Sequence, residues 1–170
     1  TNIKNNETTG LHFNKIILCC MTYDKYSEHM WKETMQPFYY ELKQKYLVEK
    51  KYYVNTNIDF DDNNLYILYG YHLFKTFPKK YIILQSERLI TRWDFISEIE
   101  KNKLLTIYKN AYKIWDYSKL NIQLLNNLNI HNTIYVPYYE SNLNLDVYNY
   151  IPKINKTKDI LWLGNVYGRR

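Results

Sequence analysis

Two side chains in this sequence stand where a proton could be moved at a hydroxyl. His72 comes just after an apolar run closed by Gly70, and Glu87 just after another that ends in Gln85. A residue at such a position emerges from the end of a strand. An imidazole or carboxylate there serves as general base when it lies within hydrogen-bond reach of the attacking oxygen. Each has a competing structural account: a surface salt bridge with Arg88 or Arg92 for Glu87, and a half-buried loop residue for His72. Tyr71, Ser86 and Arg88 flank the pair. A second group, Asp116, Tyr117, Ser118 and Asn121, with Tyr138 further on, stands at the ends of two later runs. Ser118 is placed to cap a helix N-terminus, and Asn121, one turn on, to hold the same turn together. The functional alternative is that this helix start lines a cleft, where free N–H groups favour an anionic or hydroxyl-rich ligand. Trp115 reads as core rather than as a stacking platform.

Other chemistries are disfavoured. The two cysteines, Cys19 and Cys20, are adjacent in an apolar run. Neighbouring residues on a strand point to opposite faces, so the pair cannot easily be bridged. The histidines at 12, 29, 72 and 131 are scattered without ligand spacing, and no metal site is expected. No G-x-G-x-x-G follows the first apolar run and no P-loop is present, which disfavours an ordinary dinucleotide or ATP site.

The elements that must position these residues alternate. Short apolar runs at 15–21 (KIILCCM), 51–55, 65–69, 81–85, 113–116 and 133–136 read as strands. Between them, 26–48, 91–111 and 118–128 read as helical, with Pro37 expected to break the first of these or to start a second helix. Residues 1–13 are polar and read as a loose N-terminal segment. This alternation predicts an α/β domain over 14–140: a Rossmann-like, doubly wound parallel sheet of about six strands with helices on both faces. Ligands of such sheets bind beyond the carboxyl ends of the strands, where the residues named above fall.

A chain of 170 residues with 46% hydrophobic and 24% charged residues has the composition of a folded domain rather than a disordered one. No apolar run is long enough to span a bilayer, and the expectation is a cytoplasmic protein. A net charge of +6 with 20 tyrosines would suit a nucleic-acid binder. However, Asn, Lys, Ile and Tyr are abundant together, as AT-rich codons produce, so nucleic acid is disfavoured. A parasite, a bacterium or a large DNA virus would supply such codons, and a viral gene would place the product in host cytoplasm or virion.

Three stretches carry a family resemblance. KIWDYSKLNIQLLNNLNIHNTIYVPYYE at 113–140 resembles the end of the N-terminal domain in glycosyltransferases built from two Rossmann domains, the GT-B type. In that group a "WDYS" or "SxxN" segment precedes a "yvP" strand leading to the hinge. YIILQSERL at 81–89 is similar to the group's "iiyqlEql" strand end. DILWLGNVYGRR at 159–170 looks like the opening strand and glycine loop of the donor-binding domain, with 141–158 as linker. The resemblance covers about half of the chain. It implies sugar transfer from a nucleotide sugar, the donor substrate, to a glycan or protein acceptor hydroxyl, with no bound cofactor or metal. His72 and Glu87 would be catalytic; Tyr71, Ser86, Arg88, Asp116, Tyr117, Ser118, Asn121 and Tyr138 would form the acceptor-side cleft. Gly164, Asn165, Gly168 and Arg169 would face the donor. Since only the start of a donor domain is reached, the 170 residues alone are expected to be inactive or nearly so, or to work with a separate donor-binding domain. The rival expectation is a non-catalytic binding module for nucleic acid or a protein partner, using the basic, aromatic-rich surface.

Overall fold

The run of seven residues Ile16–Thr22, every one buried, forms the interior strand β1. The computed structural model describes residues 11–22, 27–54 and 56–137, without the side chains of 27–31 and 33. The chain divides into units Thr1–Tyr138 and Tyr139–Arg170, and all described residues belong to the first. After β1 come α1 (Ser27–Lys43), β2 (Val48–Val54), β3 (Leu65–Tyr69) and β4 (Tyr81–Gln85). Then follow α2 (Leu89–Trp93), α3 (Glu98–Asn110), β5 (Lys113–Asp116), α4 (Lys119–Asn127) and β6 (Thr133–Tyr135). The six strands form one sheet in the order β2-β1-β3-β4-β5-β6, every neighbouring pair parallel. This is a Rossmann-like α/β fold, as the alternation predicts.

Strand side chains divide between two cores. Ile17, Cys19, Met21, Leu68, Ile83 and Ile114 pack with Leu104, Ile107 and Tyr108 of α3 and Leu125 of α4. Ile16, Leu18, Cys20, Ile67, Tyr69 and Leu84 pack on the other face with Met35 of α1. Helices therefore cover both faces, and continuous apolar strands are what a doubly covered parallel sheet requires. Cys19 and Cys20 fall in different cores, both buried and neither in a disulfide. Burial pushes the Cys19 thiol far above its usual range, which keeps it unreactive.

Three local expectations change. Pro37 lies inside α1 without dividing it. A proline within a helix costs about 3 kcal/mol, but Met35, Phe38, Tyr39 and Leu42 form a stripe at helical spacing that packs on the sheet, and such burial outweighs local propensity. The helical region 91–111 is two helices. Ser97 starts α3, its hydroxyl accepting from Glu100 N at 3.2 Å, in a Ser-x-x-Glu box that marks a helix start. Finally, the loose segment does not extend to 13, because Leu11 and Phe13 pack against the α1-side core. Asn129 takes the left-handed conformation (φ 59°) just beyond α4, where Ile130 N reaches back to Leu125 O at 2.9 Å.

Candidate functional site

Because the strand order reverses between β1 and β3, the carboxyl ends of this sheet form the edge where a doubly wound fold takes its ligands. Gly70, at φ 62° and ψ 37°, turns the chain sharply out of β3 into a 3-10 turn, Tyr71–Leu73. A Cβ is costly in this left-handed geometry, which favours glycine. The turn brings Tyr71 and His72 beside the segment leaving β4, and the two meet α2 and the first turn of α3 at a shallow recess. Tyr71, His72, Glu87, Leu89, Arg92 and Glu100 are among its walls, and it encloses about 10 Å³, room for a single water. A larger ligand would have to lie across its mouth.

Charge in the recess is organised around Arg92. Its Nη1 meets Glu87 Oε2 at 2.7 Å and its Nη2 lies 3.7 Å from Glu100 Oε1. Desolvation opposes the guanidinium charge, but the Glu87 hydrogen bond and the two carboxylates outweigh it and raise the Arg92 pKa. His72 is shifted the other way. Burial lowers its pKa, and the opposing pull of Glu87 does not restore it, so the imidazole is neutral at pH 7 and free to accept a proton. His72 and Glu87 line one recess, and among the described residues no hydrogen bond joins them. Of the two partners weighed for Glu87 in the sequence, Arg92 is engaged; Arg88 is exposed and flanks the site.

The recess floor continues inward as a chain of hydroxyls. Tyr71, 6% exposed, shares a short hydrogen bond with the fully buried Tyr108 of α3. Burial raises the pKa of both phenols, so neither ionises near neutrality.

The second group of sequence candidates gathers one strand further along, at the ends of β4 and β5. Ser118 is the α4 N-cap, accepting from Asn121 N at 3.3 Å. Asp116 and Asn121 are both 0% exposed, so neither offers a side chain to a ligand from the surface. Instead they tie the two corners together. Asn121 Nδ2 donates to Glu87 O at 2.8 Å and to Asp116 Oδ1 at 3.2 Å, while its Oδ1 accepts from Ile90 N at 3.4 Å. Asp116 Oδ1 also accepts from Ser118 N at 2.8 Å. Burial pushes the Asp116 carboxyl up to about 6, with the Ser118 and Asn121 hydrogen bonds acting against the shift. Tyr117 and Ser86 are half-buried beside these groups, and Trp115 stacks on Phe38 with ring centroids 5.7 Å apart. Tyr138, Gly164, Asn165, Gly168 and Arg169 lie outside the described residues, as does the 141–158 linker.

Sequence reasoning left Gln85, Glu100 and Tyr108 out of the site and gave Arg92 only as a salt-bridge partner. Gln85 carried a signal, a polar residue ending a buried apolar run. The others reach the site through the fold of α2 and α3 across the sheet edge, which no local pattern announces. Among the described residues no three His, Cys, Asp or Glu side chains converge as a metal site would require, and no helix is long and apolar enough to cross a membrane. No family model, curated protein or solved structure matches the chain.

Proposed function

We propose that this domain is the acceptor side of a glycosyltransferase-like protein, holding a hydroxyl-bearing glycan or protein acceptor for transfer from a nucleotide sugar. The observation that carries the reading is that an imidazole, whose pKa burial lowers, and a carboxylate line one recess at the carboxyl edge of a parallel sheet. His72 takes the proton from the acceptor hydroxyl. Glu87, fixed by Arg92, accepts a hydrogen bond from a neighbouring hydroxyl and orients the acceptor. Trp93, which also lines the recess, gives the ring of a sugar an apolar surface. Catalysis of this kind rests on positioning the attacking oxygen, together with charge stabilisation of the leaving diphosphate from the donor side.

Acceptor binding tests it. In a titration of the 170-residue chain with a panel of oligosaccharides, backbone amide shifts should concentrate at 71–72, 87 and 92–93. His72→Ala should weaken binding about tenfold, the effect of one lost hydrogen bond of roughly 1.4 kcal/mol. Shifts confined to other surfaces would refute the assignment. Because these residues hold the acceptor rather than the donor in this reading, millimolar UDP- or GDP-sugars should leave the amides at 71–72, 87 and 92–93 unshifted, and shifts there would contradict it.

A second reading has its own observation. Lys50 Nζ lies 4.5 Å from the Tyr39 ring centroid, and Lys43 Nζ lies 5.2 Å from Tyr39 and 4.4 Å from Tyr40. This basic, aromatic face of α1 and β2 has the elements of a phosphate-binding surface. A gel-shift series with single-stranded nucleic acid separates the two readings, since a phosphate-driven complex weakens steeply with salt.

A further inference from the structure

Gln85 and Asp116 are the last residues of β4 and β5, and they are in register across the parallel pair. Register partners send their side chains to the same face of a sheet. Both residues are buried, at 1% and 0% exposed. Each has one oxygen, Gln85 Oε1 and Asp116 Oδ2, that accepts no hydrogen bond among the described residues. Buried acceptors left in this state are costly, so a pair of them side by side asks for a donor.

The surrounding bonds restrict where that donor comes from. Gln85 Nε2 donates to Glu87 O at 2.8 Å, and turning the amide over would set its oxygen against that carbonyl. Asn121 Nδ2 is occupied by Glu87 O and Asp116 Oδ1, and Ser118 N by Asp116 Oδ1. From α3, Tyr108 is the titratable group that senses the Asp116 charge, itself acted on by Glu87 and Arg92, and its hydroxyl is shared with Tyr71. From β6, Tyr135 is the register partner of Asp116. No lysine or arginine pairs with Asp116 among the described residues.

We propose that Asp116 and Gln85 form a proton-operated latch on the segment that carries Glu87. With Asp116 protonated, its O–H donates to Gln85 Oε1, and one proton taken up from solvent removes both unpaired acceptors. Gln85 and Asn121 then hold Glu87 O from two sides. Loss of the proton leaves both acceptors without a donor again, and the hold on residues 86–90 loosens. The elevated carboxyl, at about 6, puts this change in a range that cells visit. The latch stands apart from the glycosyl-transfer reading; only its meaning for Glu87 as a site residue rests on that reading.

The test needs no activity. The Asp116 carboxyl carbon, followed by NMR in the wild-type chain, should titrate with a midpoint near 6. Amide exchange at 86–90, corrected for intrinsic rates, should rise about tenfold between pH 5 and pH 7.5. Asp116→Asn, whose amide supplies the donor at every pH, should abolish that rise. Gln85→Met removes the proposed acceptor and should move the Asp116 midpoint downward. A buried water donating to both oxygens would instead leave the carboxyl ionised, with a midpoint near 4. That result, an unchanged midpoint in Gln85→Met, or a persistent exchange step in Asp116→Asn each overturns the latch.

Discussion

Two neighbouring corners of the same sheet edge solve the problem of placing polar groups in different ways. Beyond β3 and β4, Glu87, Arg92 and Glu100 stay near water, with Glu87 and Arg92 side chains nearly half exposed. Their charges persist because solvent and partners share the work. Beyond β4 and β5, Gln85, Asp116 and Asn121 are sealed from solvent, and the charge itself becomes the unfavourable element. Proximity to a strand end thus does not decide what a polar residue does. The open corner suits contact with a ligand; the closed corner suits holding the open one in shape, through Glu87 O.

If the closed corner is structural, its disruption should cost most. Asn121→Ala removes donors to Glu87 O and Asp116 Oδ1 and the acceptor of Ile90 N, and should destabilise by about 3 kcal/mol in denaturant unfolding. A loss below about 1 kcal/mol would remove the distinction between the corners.

The pH dependence of stability sharpens the contrast next. The Asp116 carboxyl sits at about 6 when folded and near 4 when unfolded, so the folded state holds its proton more tightly. The stabilisation is fully present below about pH 4 and lost as pH rises through 6. It should amount to roughly 2–3 kcal/mol in the wild type relative to Asp116→Asn. The subtraction removes the opposite, more acidic contribution of Asp61, whose carboxyl is held down by its hydrogen bond from Asn63 N. The open corner should respond least. Glu87→Gln breaks a pair exposed to water and should change stability by less than about 1 kcal/mol, an effect that fades in high salt.

Much of the frame could be read from residue patterns, and the reasons differ by element. Leu65–Tyr69, Tyr81–Gln85 and Lys113–Asp116 have the expected limits. Most of their side chains are apolar and buried, which makes the runs conspicuous, and Gly70, Ser86 and Tyr117 end them. For α1, Pro37 is plain in the sequence, whereas the stripe that overrides it gains its weight only from packing on the sheet. For α3, Ser97 and Glu100 mark the helix start in the sequence itself. In the site, Tyr71, His72 and Glu87 were legible because a parallel sheet directs attention to strand ends. Arg92 and Glu100 reach the recess only because α2 and α3 double back over the edge. That Asp116 and Asn121 turn inward was hidden too, since a polar residue after a strand reads the same whether its side chain meets water or protein.

The position of β1 has a consequence in time as well as in space. Ile16 pairs with Val48 on one side and with Leu65 on the other, so the most buried strand has no partner nearby in the chain. Parallel pairs cannot begin as hairpins, and each must close a long loop before any ladder bond forms. Folding should therefore fall among the slower single domains, in milliseconds to seconds rather than microseconds. Until β3 arrives, the apolar run 16–21 is an exposed aggregation hazard, one that grows with the concentration of unfolded chains.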